Sequence, residues 1–140
     1  MPTRKATARW EGTLKEGRGH LNGQSGLDIR YAFSSRFEDG PGSNPEELLA
    51  AAHAGCYSMA LNAGLEAQGF HAEYVETEGA CTVEKLETGM SITKLKLTCR
   101  AKVPGLDAAK FAEMAEATKT GCIVSRALSA VPMELDAQLV

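Results

Sequence analysis

Apolar and polar residues alternate in the first part of the chain, a pattern typical of half-buried β-strands. The alternation covers residues 6–11 and returns at residues 27–33 after a glycine-rich turn. Because successive side chains of a strand point to opposite faces, we predict an N-terminal meander of two or three antiparallel strands. Residues 34–43 contain a Gly-Pro-Gly run and are predicted to be a mobile loop, with Arg36 near its start.

The stretch from Asn44 to Gly69 changes to a pattern that predicts one long helix. Asn44 suits the N-cap, Pro45 the first helical position and Glu47 the acidic position of a capping box. Gly69 suits the left-handed residue that ends a helix. The predicted helix therefore runs from Pro45 to Gln68.

The middle of this helix contains no charged residue between Leu48 and Leu65, and its apolar residues leave no continuous polar face. We therefore predict a central helix that is buried on all sides. Its alanines, together with His53 and Ser58, favour a core helix over a membrane span. Cys56 lies near its centre.

A β-hairpin is predicted after the helix, with its turn near Thr88 and Gly89. The outward positions are acidic in the first strand and basic in the second, and these charges favour pairing of the two strands. Cys81 and Cys99 fall on the inward, apolar positions. We interpret both of these cysteines as packing residues.

The last part of the chain predicts two helices and a strand. Asp107 suits the N-cap of a helix that runs through Lys119, and Gly121 is expected to end it. Cys122 then begins a short helical segment, where the partial positive charge of a helix start favours a thiolate. Residues 133–139 alternate as a final strand. The predicted fold is α+β, a single domain over residues 1–140 whose sheet wraps the central helix.

Composition excludes several classes of function. The formal net charge is −3 and no run of basic residues occurs, so neither nucleic acid nor a membrane surface is an expected partner. The N-terminus has no apolar signal segment, so we expect a cytoplasmic protein whose thiols stay reduced. The four cysteines and three histidines show no spacing typical of a metal site.

Redox chemistry based on thiols needs a stabilised thiolate, a second cysteine that resolves the sulfenic acid, and a cation that lowers the first pKa. Cys56 and Cys122 are the two cysteines whose positions strand alternation does not explain. Their separation of 66 residues (122 − 56) can be closed only by the fold.

The segments NPEELLAAAHAGCYSMAL and GCIVSRAL, preceded by SSRFEDGPGSNPEEL, resemble the OsmC branch of the OsmC/Ohr family of organic hydroperoxide reductases. The resemblance extends from ARWEG near the start to ITKLKL in the hairpin. It implies an OsmC-like intertwined homodimer and a peroxidase without metal or flavin. The expected partners are an organic hydroperoxide and a dithiol reductant, either a lipoyl-protein or a thioredoxin-like protein, in oxidative or osmotic stress defence.

The resemblance also implies four site residues. By position, Cys56 resembles the peroxidatic cysteine, Cys122 the resolving cysteine, Arg36 the arginine that stabilises the thiolate, and Glu46 the carboxylate that holds this arginine. The family commonly has proline after the second cysteine, whereas this chain has Ile123. Proline there would pre-set the start of the helix.

Helix geometry adds an expectation about assembly. In an unbroken helix, Glu46 and Cys56 are separated by about 15 Å along the axis. One chain would bring both to a single arginine only if the helix kinked near Gly55. We favour the alternative, in which a second subunit supplies Arg36 and Glu46 to Cys56.

Two other classes of function remain open. In the first, the protein is a cysteine hydrolase or acyltransferase in which His53, one helical turn before Cys56, acts as base; the competing interpretation of His53 is a core histidine paired with a backbone carbonyl. In the second, the protein is a non-catalytic, stress-induced carrier whose cysteines only pack.

Overall fold

The computed structural model describes all 140 residues, Met1–Val140. It contains six strands and four helices, in the order β1 (Ala6–Glu11), β2 (Arg18–Gly23), β3 (Asp28–Tyr31), α1 (Phe33–Phe37), α2 (Pro45–Ala67), β4 (Tyr74–Leu86), β5 (Gly89–Lys102), α3 (Ala108–Gly121), α4 (Ile123–Ala127) and β6 (Met133–Leu139). None of the helices combines the length and the apolar character that spanning a membrane requires. The mixed α+β class is confirmed.

The chain divides into two compact units, Met1–Leu48 and Leu49–Val140, and the division falls inside α2. In the first unit, β1, β2 and β3 form an antiparallel sheet in that order, as the alternation predicts. The assignment of residues 1–140 to a single domain stays a prediction.

The segment after β3 differs from the predicted loop. Residues Phe33–Phe37 form the short helix α1, which contains Arg36. The hydroxyl of Ser35 holds this turn closed, because it accepts the N–H of Ala32 at 2.8 Å and donates to the carbonyl of Ser43 at 2.7 Å. Reading Gly-Pro-Gly as the centre of a loop was correct for residues 40–42 but missed the helical turn before it.

The long helix α2 begins as predicted. The Asn44 side chain accepts the N–H of Glu47 at 2.8 Å and therefore caps the helix. The Glu47 carboxylate accepts from the Ser43 hydroxyl at 2.9 Å, where the capping box predicted a bond to the backbone of Asn44. The helix ends at Ala67, one residue earlier than predicted, and Gly69 has the expected positive φ of 85°.

Only one face of α2 is buried within the single chain. The inward face, spaced at one turn, consists of His53, Tyr57, Leu61 and Leu65. On the other side, the single chain leaves a set of small or apolar residues exposed, namely Ala51, Ala52, Gly55, Met59 and Ala63. Burial on all sides, which the lack of charge predicted, is therefore not reached within one chain.

The second unit packs this helix on a mixed sheet. Strands β4 and β5 form the predicted antiparallel hairpin, and β6 pairs with β5 in parallel, so β5 is the central strand. Gly79 of β4 lies against the backbone of Ala50, where an added Cβ would come within 2.3 Å of the Ala50 carbonyl oxygen. A glycine is therefore required where the helix crosses the strand.

Candidate active site

Cys122 lies at the junction of two helices. Helix α3 ends at Gly121 and helix α4 begins at Ile123, so Cys122 caps both. Its N–H donates to the carbonyl of Thr118 at 3.0 Å, and its Sγ accepts the N–H of Ser125 at 3.3 Å. The predicted helix start at Cys122 is confirmed, and it forms with Ile123 in the place where the family commonly has proline.

Hydrogen bonds to its sulfur dominate the electrostatics of Cys122. The residue is only 3% exposed, and burial by itself raises the pKa of its thiol. The hydroxyl and N–H of Ser125, the side chain of Cys56 and the N–H of Val124 outweigh this effect, and the pKa of Cys122 lies below its ordinary value. The surroundings of Cys122 therefore favour a thiolate.

Cys56 lies on α2 and is half-buried. Its side chain is within hydrogen-bonding distance of Cys122, and the two residues belong to the same packed cluster. The fold thus closes the separation of 66 residues (122 − 56) between the two cysteines whose positions strand alternation does not explain. Two thiols in contact can form a disulfide without a large rearrangement of the chain.

His53 lies one turn before Cys56 on α2 and is 1% exposed. Its Nε2 is 2.8 Å from the hydroxyl oxygen of Ser125. The predicted alternatives were a base for Cys56 or a partner for a backbone carbonyl; the structure instead pairs this ring nitrogen with a serine hydroxyl. Burial lowers the pKa of His53, so the imidazole is neutral at pH 7.

Ser125 is the residue of this cluster that sequence reasoning missed. It is 3% exposed, and its hydroxyl oxygen lies 3.1 Å from Cys122 Sγ and 2.8 Å from His53 Nε2. Its position carries a signal, because the third residue after an N-cap is the one whose side chain and N–H face the cap. The segment GCIVSRAL places a serine at this position relative to Cys122.

Arg36 and Glu46 form an ion pair in the first unit. Arg36 Nη2 lies 2.6 Å from Glu46 Oε1, and Arg36 Nε lies 3.1 Å and 3.2 Å from the two carboxylate oxygens. The Glu46 side chain is 12% exposed and the Arg36 side chain 40%. This two-pronged contact fixes the plane of the guanidinium.

The surroundings of this ion pair hold it in place. The Asn44 side chain donates to the carbonyl of Ser35 at 2.9 Å, which ties the start of α2 to α1. The guanidinium of Arg36 also lies 5.2 Å from the centre of the Phe37 ring, a distance at which a cation is attracted to the ring face. Nε and Nη2 make the bonds to Glu46, so the donors on Nη1 take no part in this ion pair.

Cys81 and Cys99 lie on inward positions of the hairpin. Cys99 of β5 is fully buried, and burial raises the pKa of its thiol despite a hydrogen bond with Thr77. Cys81 of β4 is half-buried opposite Leu95. These positions are those that the alternation predicts; the roles assigned to the four cysteines stay predictions.

Comparison with known proteins identifies the family. A family model described as "OsmC-like protein" matches residues 38–136. The peroxiredoxin OsmC of Escherichia coli (strain K12) is 41% identical over 138 residues, which is 97% of this chain and 96% of that protein. This chain belongs to the OsmC family.

Solved structures of OsmC-family proteins share the fold. The organic hydroperoxide resistance protein OhrB of Bacillus subtilis superposes with a TM-score of 0.74 at 28% identity, covering 97% of this chain and 98% of that chain. An organic hydroperoxide resistance protein OsmC from Legionella pneumophila gives a TM-score of 0.74 at 23% identity, covering 96% of each chain. The family and fold that the sequence motifs indicate are thus confirmed.

Proposed function

We propose that this OsmC-family chain is a thiol peroxidase that reduces organic hydroperoxides to alcohols. The observation that carries the proposal is the contact between Cys56 and Cys122, with the pKa of Cys122 held below its ordinary value. The names of the relatives, a peroxiredoxin and organic hydroperoxide resistance proteins, support the same class of reaction.

In the proposed cycle, the Cys56 thiolate attacks the terminal oxygen of the hydroperoxide. The O–O bond breaks, the alkoxide leaves and takes up a proton to become an alcohol, and Cys56 becomes a sulfenic acid. The sulfur of Cys122 then attacks the sulfur of Cys56, so that a disulfide forms and the sulfenic oxygen leaves as water. An external dithiol reduces the disulfide by thiol exchange.

Arg36 and Glu46 are the proposed partners of the Cys56 thiolate. A guanidinium stays charged at any physiological pH, and the donors on its Nη1 remain available to an anion while Glu46 holds the rest of the group. A cation next to a thiolate lowers its pKa and increases the fraction that can attack peroxide.

An apolar cavity beside Arg36 favours a carbon-bearing hydroperoxide over hydrogen peroxide. The cavity has a volume of about 270 Å³. Apart from Arg36, it is lined by Trp10, Leu14, Tyr31, Ala32, Phe33 and Phe37. Each Å² of alkyl surface that such walls cover contributes about 25 cal/mol to binding.

The active form is proposed to be a homodimer in which each site draws on both chains. The exposed side of α2 carries Ala51, Gly55, Met59 and Ala63, and Met59 is 79% exposed in the single chain. An uncharged helical face of this kind is covered when two copies pack about a two-fold axis. The second copy would then supply Arg36 and Glu46 to Cys56.

Mixing two inactive variants tests this shared site. A Cys56→Ser chain keeps Arg36 and Glu46, while a Glu46→Ala chain keeps Cys56. In a mixed dimer one of the two sites receives all its residues, so about half of the sites should be active. Absence of recovery after verified subunit exchange would show that each site is built within one chain.

The proposed reductant is a dithiol, from either a lipoyl-protein or a thioredoxin-like protein, and the proposed compartment is the cytoplasm, where such dithiols are kept reduced. A steady-state assay with a panel of hydroperoxides and dithiols tests the function. Turnover should be faster with cumene hydroperoxide than with hydrogen peroxide. Absence of consumption of any hydroperoxide by the reduced protein would refute the proposed function.

A further inference from the structure

The cycle described above leaves two buried polar residues beside Cys122 without a role. We propose that Ser125 and His53 take the proton of Cys122 when this thiol attacks the oxidised sulfur of Cys56, with Ser125 passing the proton to His53. The proposal rests on the proposed function in assigning Cys122 to the resolving step.

The need for such a relay follows from burial. Cys122 and Ser125 are each 3% exposed and His53 is 1% exposed. A thiol in this position has almost no contact with water, so bulk solvent is poorly placed to accept its proton. The thiolate is the nucleophile in disulfide formation, so an acceptor within the protein accelerates the step.

The geometry gives the proton a route. Ser125 Oγ lies 3.1 Å from Cys122 Sγ and 2.8 Å from His53 Nε2, both hydrogen-bonding distances. A hydroxyl can accept one hydrogen bond while it donates another. With the thiol donating to Ser125 and Ser125 donating to His53, one concerted shift along the chain leaves a thiolate and an imidazolium.

The electrostatics fit both ends of this route. Burial lowers the pKa of His53, which keeps its ring neutral and leaves one nitrogen with a lone pair that can accept a proton. At the other end, the N–H of Ser125 donates to Cys122 Sγ at 3.3 Å and stabilises the negative charge that develops there. Ser125 therefore contributes its hydroxyl to the transfer and its backbone to the thiolate.

The step is balanced. Cys122 loses its proton to His53 through Ser125, and its sulfur attacks the Cys56 sulfenic sulfur. The S–S bond forms, the S–O bond breaks, and the departing hydroxide takes the proton from His53 to become water. Cys122 is oxidised and the sulfenic sulfur of Cys56 is reduced, each to the oxidation level of a disulfide.

A reaction without peroxide isolates this step. In a Cys81→Ala background, reduced protein is treated with dithiobis(nitrobenzoate). A first thionitrobenzoate is released as Cys56 forms a mixed disulfide, at a rate that depends on reagent concentration. A second thionitrobenzoate is released when Cys122 attacks the Cys56 sulfur of the mixed disulfide, at a rate independent of reagent concentration. A Cys122→Ser chain, which lacks this second phase, gives the baseline.

Two variants interrupt the route at different points. Ser125→Ala removes the hydroxyl but keeps the backbone N–H to Cys122. His53→Gln keeps a hydrogen-bonding group near the position of Nε2 but has no basic nitrogen. In both, the second phase should slow by about tenfold or more, while the first phase stays within about twofold of the parent.

The controls separate proton transfer from packing. Ser125→Thr restores the hydroxyl and should bring the second phase back to within about threefold of the parent. Ser58→Ala removes a different hydroxyl on α2, one that donates to Thr77 Oγ1 at 2.7 Å, and should leave both phases unchanged. Thermal unfolding of each variant verifies that it is folded, and His53→Gln decides the question even if Ser125→Ala does not fold.

A second phase within about twofold of the parent in His53→Gln would overturn the transfer to His53, whether or not Ser125→Ala is slow. Peroxide consumption by the same parent protein reports separately on the proposed function. If peroxide is not consumed but the second phase shows the variant effects, the proposed function fails and the relay to Cys122 stands.

Discussion

Cys122 and Cys99 are both almost fully buried thiols in the second unit of the chain, at 3% and 0% exposure, yet their surroundings shift their pKa in opposite directions. Cys99 lies on a strand, where burial raises the pKa more than the hydroxyl of Thr77 and the charge of Arg100 lower it. Cys122 caps a helix, where Ser125, Cys56 and Val124 together outweigh burial.

The difference shows that burial does not by itself decide the pKa of a cysteine. In a strand, the backbone N–H groups are committed to the sheet, so a buried sulfur receives few donors. At a helix start, the first N–H groups have no partner within the helix and can turn to a side chain. A helix start can therefore hold the pKa of a buried cysteine below its ordinary value, whereas the strand position of Cys99 does not.

The largest effect is expected when the partner of Cys122 is removed. In Cys56→Ser, peroxide reduction should be abolished while the fold is kept, because a hydroxyl of similar size is a poor nucleophile at neutral pH. Hydroperoxide consumption and circular dichroism measure the two effects. Activity above a few per cent of the parent would contradict the assignment of Cys56.

Removal of Cys122 itself should give a different defect. Cys122→Ser should reduce about one peroxide per site and then stall, and Cys56 should become over-oxidised as peroxide accumulates. Mass spectrometry of the Cys56 peptide measures this outcome. An unmodified Cys56 after peroxide treatment would refute the scheme, whereas slow turnover with an added thiol would mean that the resolving step was bypassed.

The corresponding change at Cys99 should affect stability and not catalysis. Cys99→Ala should lower the free energy of unfolding by about 1 to 2 kcal/mol through lost packing and leave turnover within about twofold. Cys81→Ala should also leave turnover within about twofold of the parent. Urea unfolding and steady-state kinetics provide the measurements, and a folded but inactive variant at either position would mean that the resolving cysteine has been misassigned.

Tyr57 reports on both cysteines, because the charges of Cys99 and Cys122 both affect its pKa. Burial first, and then the negative charges of Cys99, Glu116 and Cys122, raise the pKa of Tyr57, whose hydroxyl donates to the carbonyl of Ala115 at 2.9 Å. A raised pKa in the folded state means that the stabilisation is complete below the unfolded value, near pH 10, and is lost as the pH rises above it. The folded protein should therefore lose stability above about pH 10.

Tyr57→Phe tests this smallest effect. At neutral pH it should lower the free energy of unfolding by about 1 kcal/mol through the lost hydrogen bond. It should also reduce the loss of stability as the pH rises above about pH 10. Tyr74→Phe, at an exposed tyrosine of β4, is the matched control and should change neither quantity. An unchanged alkaline transition in Tyr57→Phe would show that this phenol does not contribute to it.

Local signals in the sequence were sufficient for most of the fold. Asn44 and Gly69 mark the ends of α2 to within two residues, and the alternation around Cys99 places it correctly in the core. Helix α1 was missed because the Gly-Pro-Gly run dominates its neighbourhood, while the turn depends on contacts of the Ser35 hydroxyl with Ala32 and Ser43. Such contacts depend on where distant segments lie.

The site likewise contains residues that local motifs predict and contacts that only the fold determines. The motifs pointed to Cys56, Cys122, Arg36 and Glu46, and the structure brings them together in two pairs. The pairing of His53 with Ser125 joins residues 72 apart, and no local pattern encodes which core polar groups will meet. The exposed face of α2 could not be predicted from the sequence either. An uncharged helix predicts burial but does not indicate whether the residues that bury it belong to the same chain.

The most direct test of the proposed cycle is to find where the first disulfide forms. Reduced protein is treated with one equivalent of cumene hydroperoxide, blocked with an alkylating agent and mapped by mass spectrometry. We expect loss of two hydrogen atoms per chain and a cross-linked peptide pair that contains Cys56 and Cys122, with Cys99 recovered as a thiol. A disulfide that joins Cys56 to any other cysteine, or recovery of both Cys56 and Cys122 as thiols while peroxide is consumed, would contradict the proposed cycle.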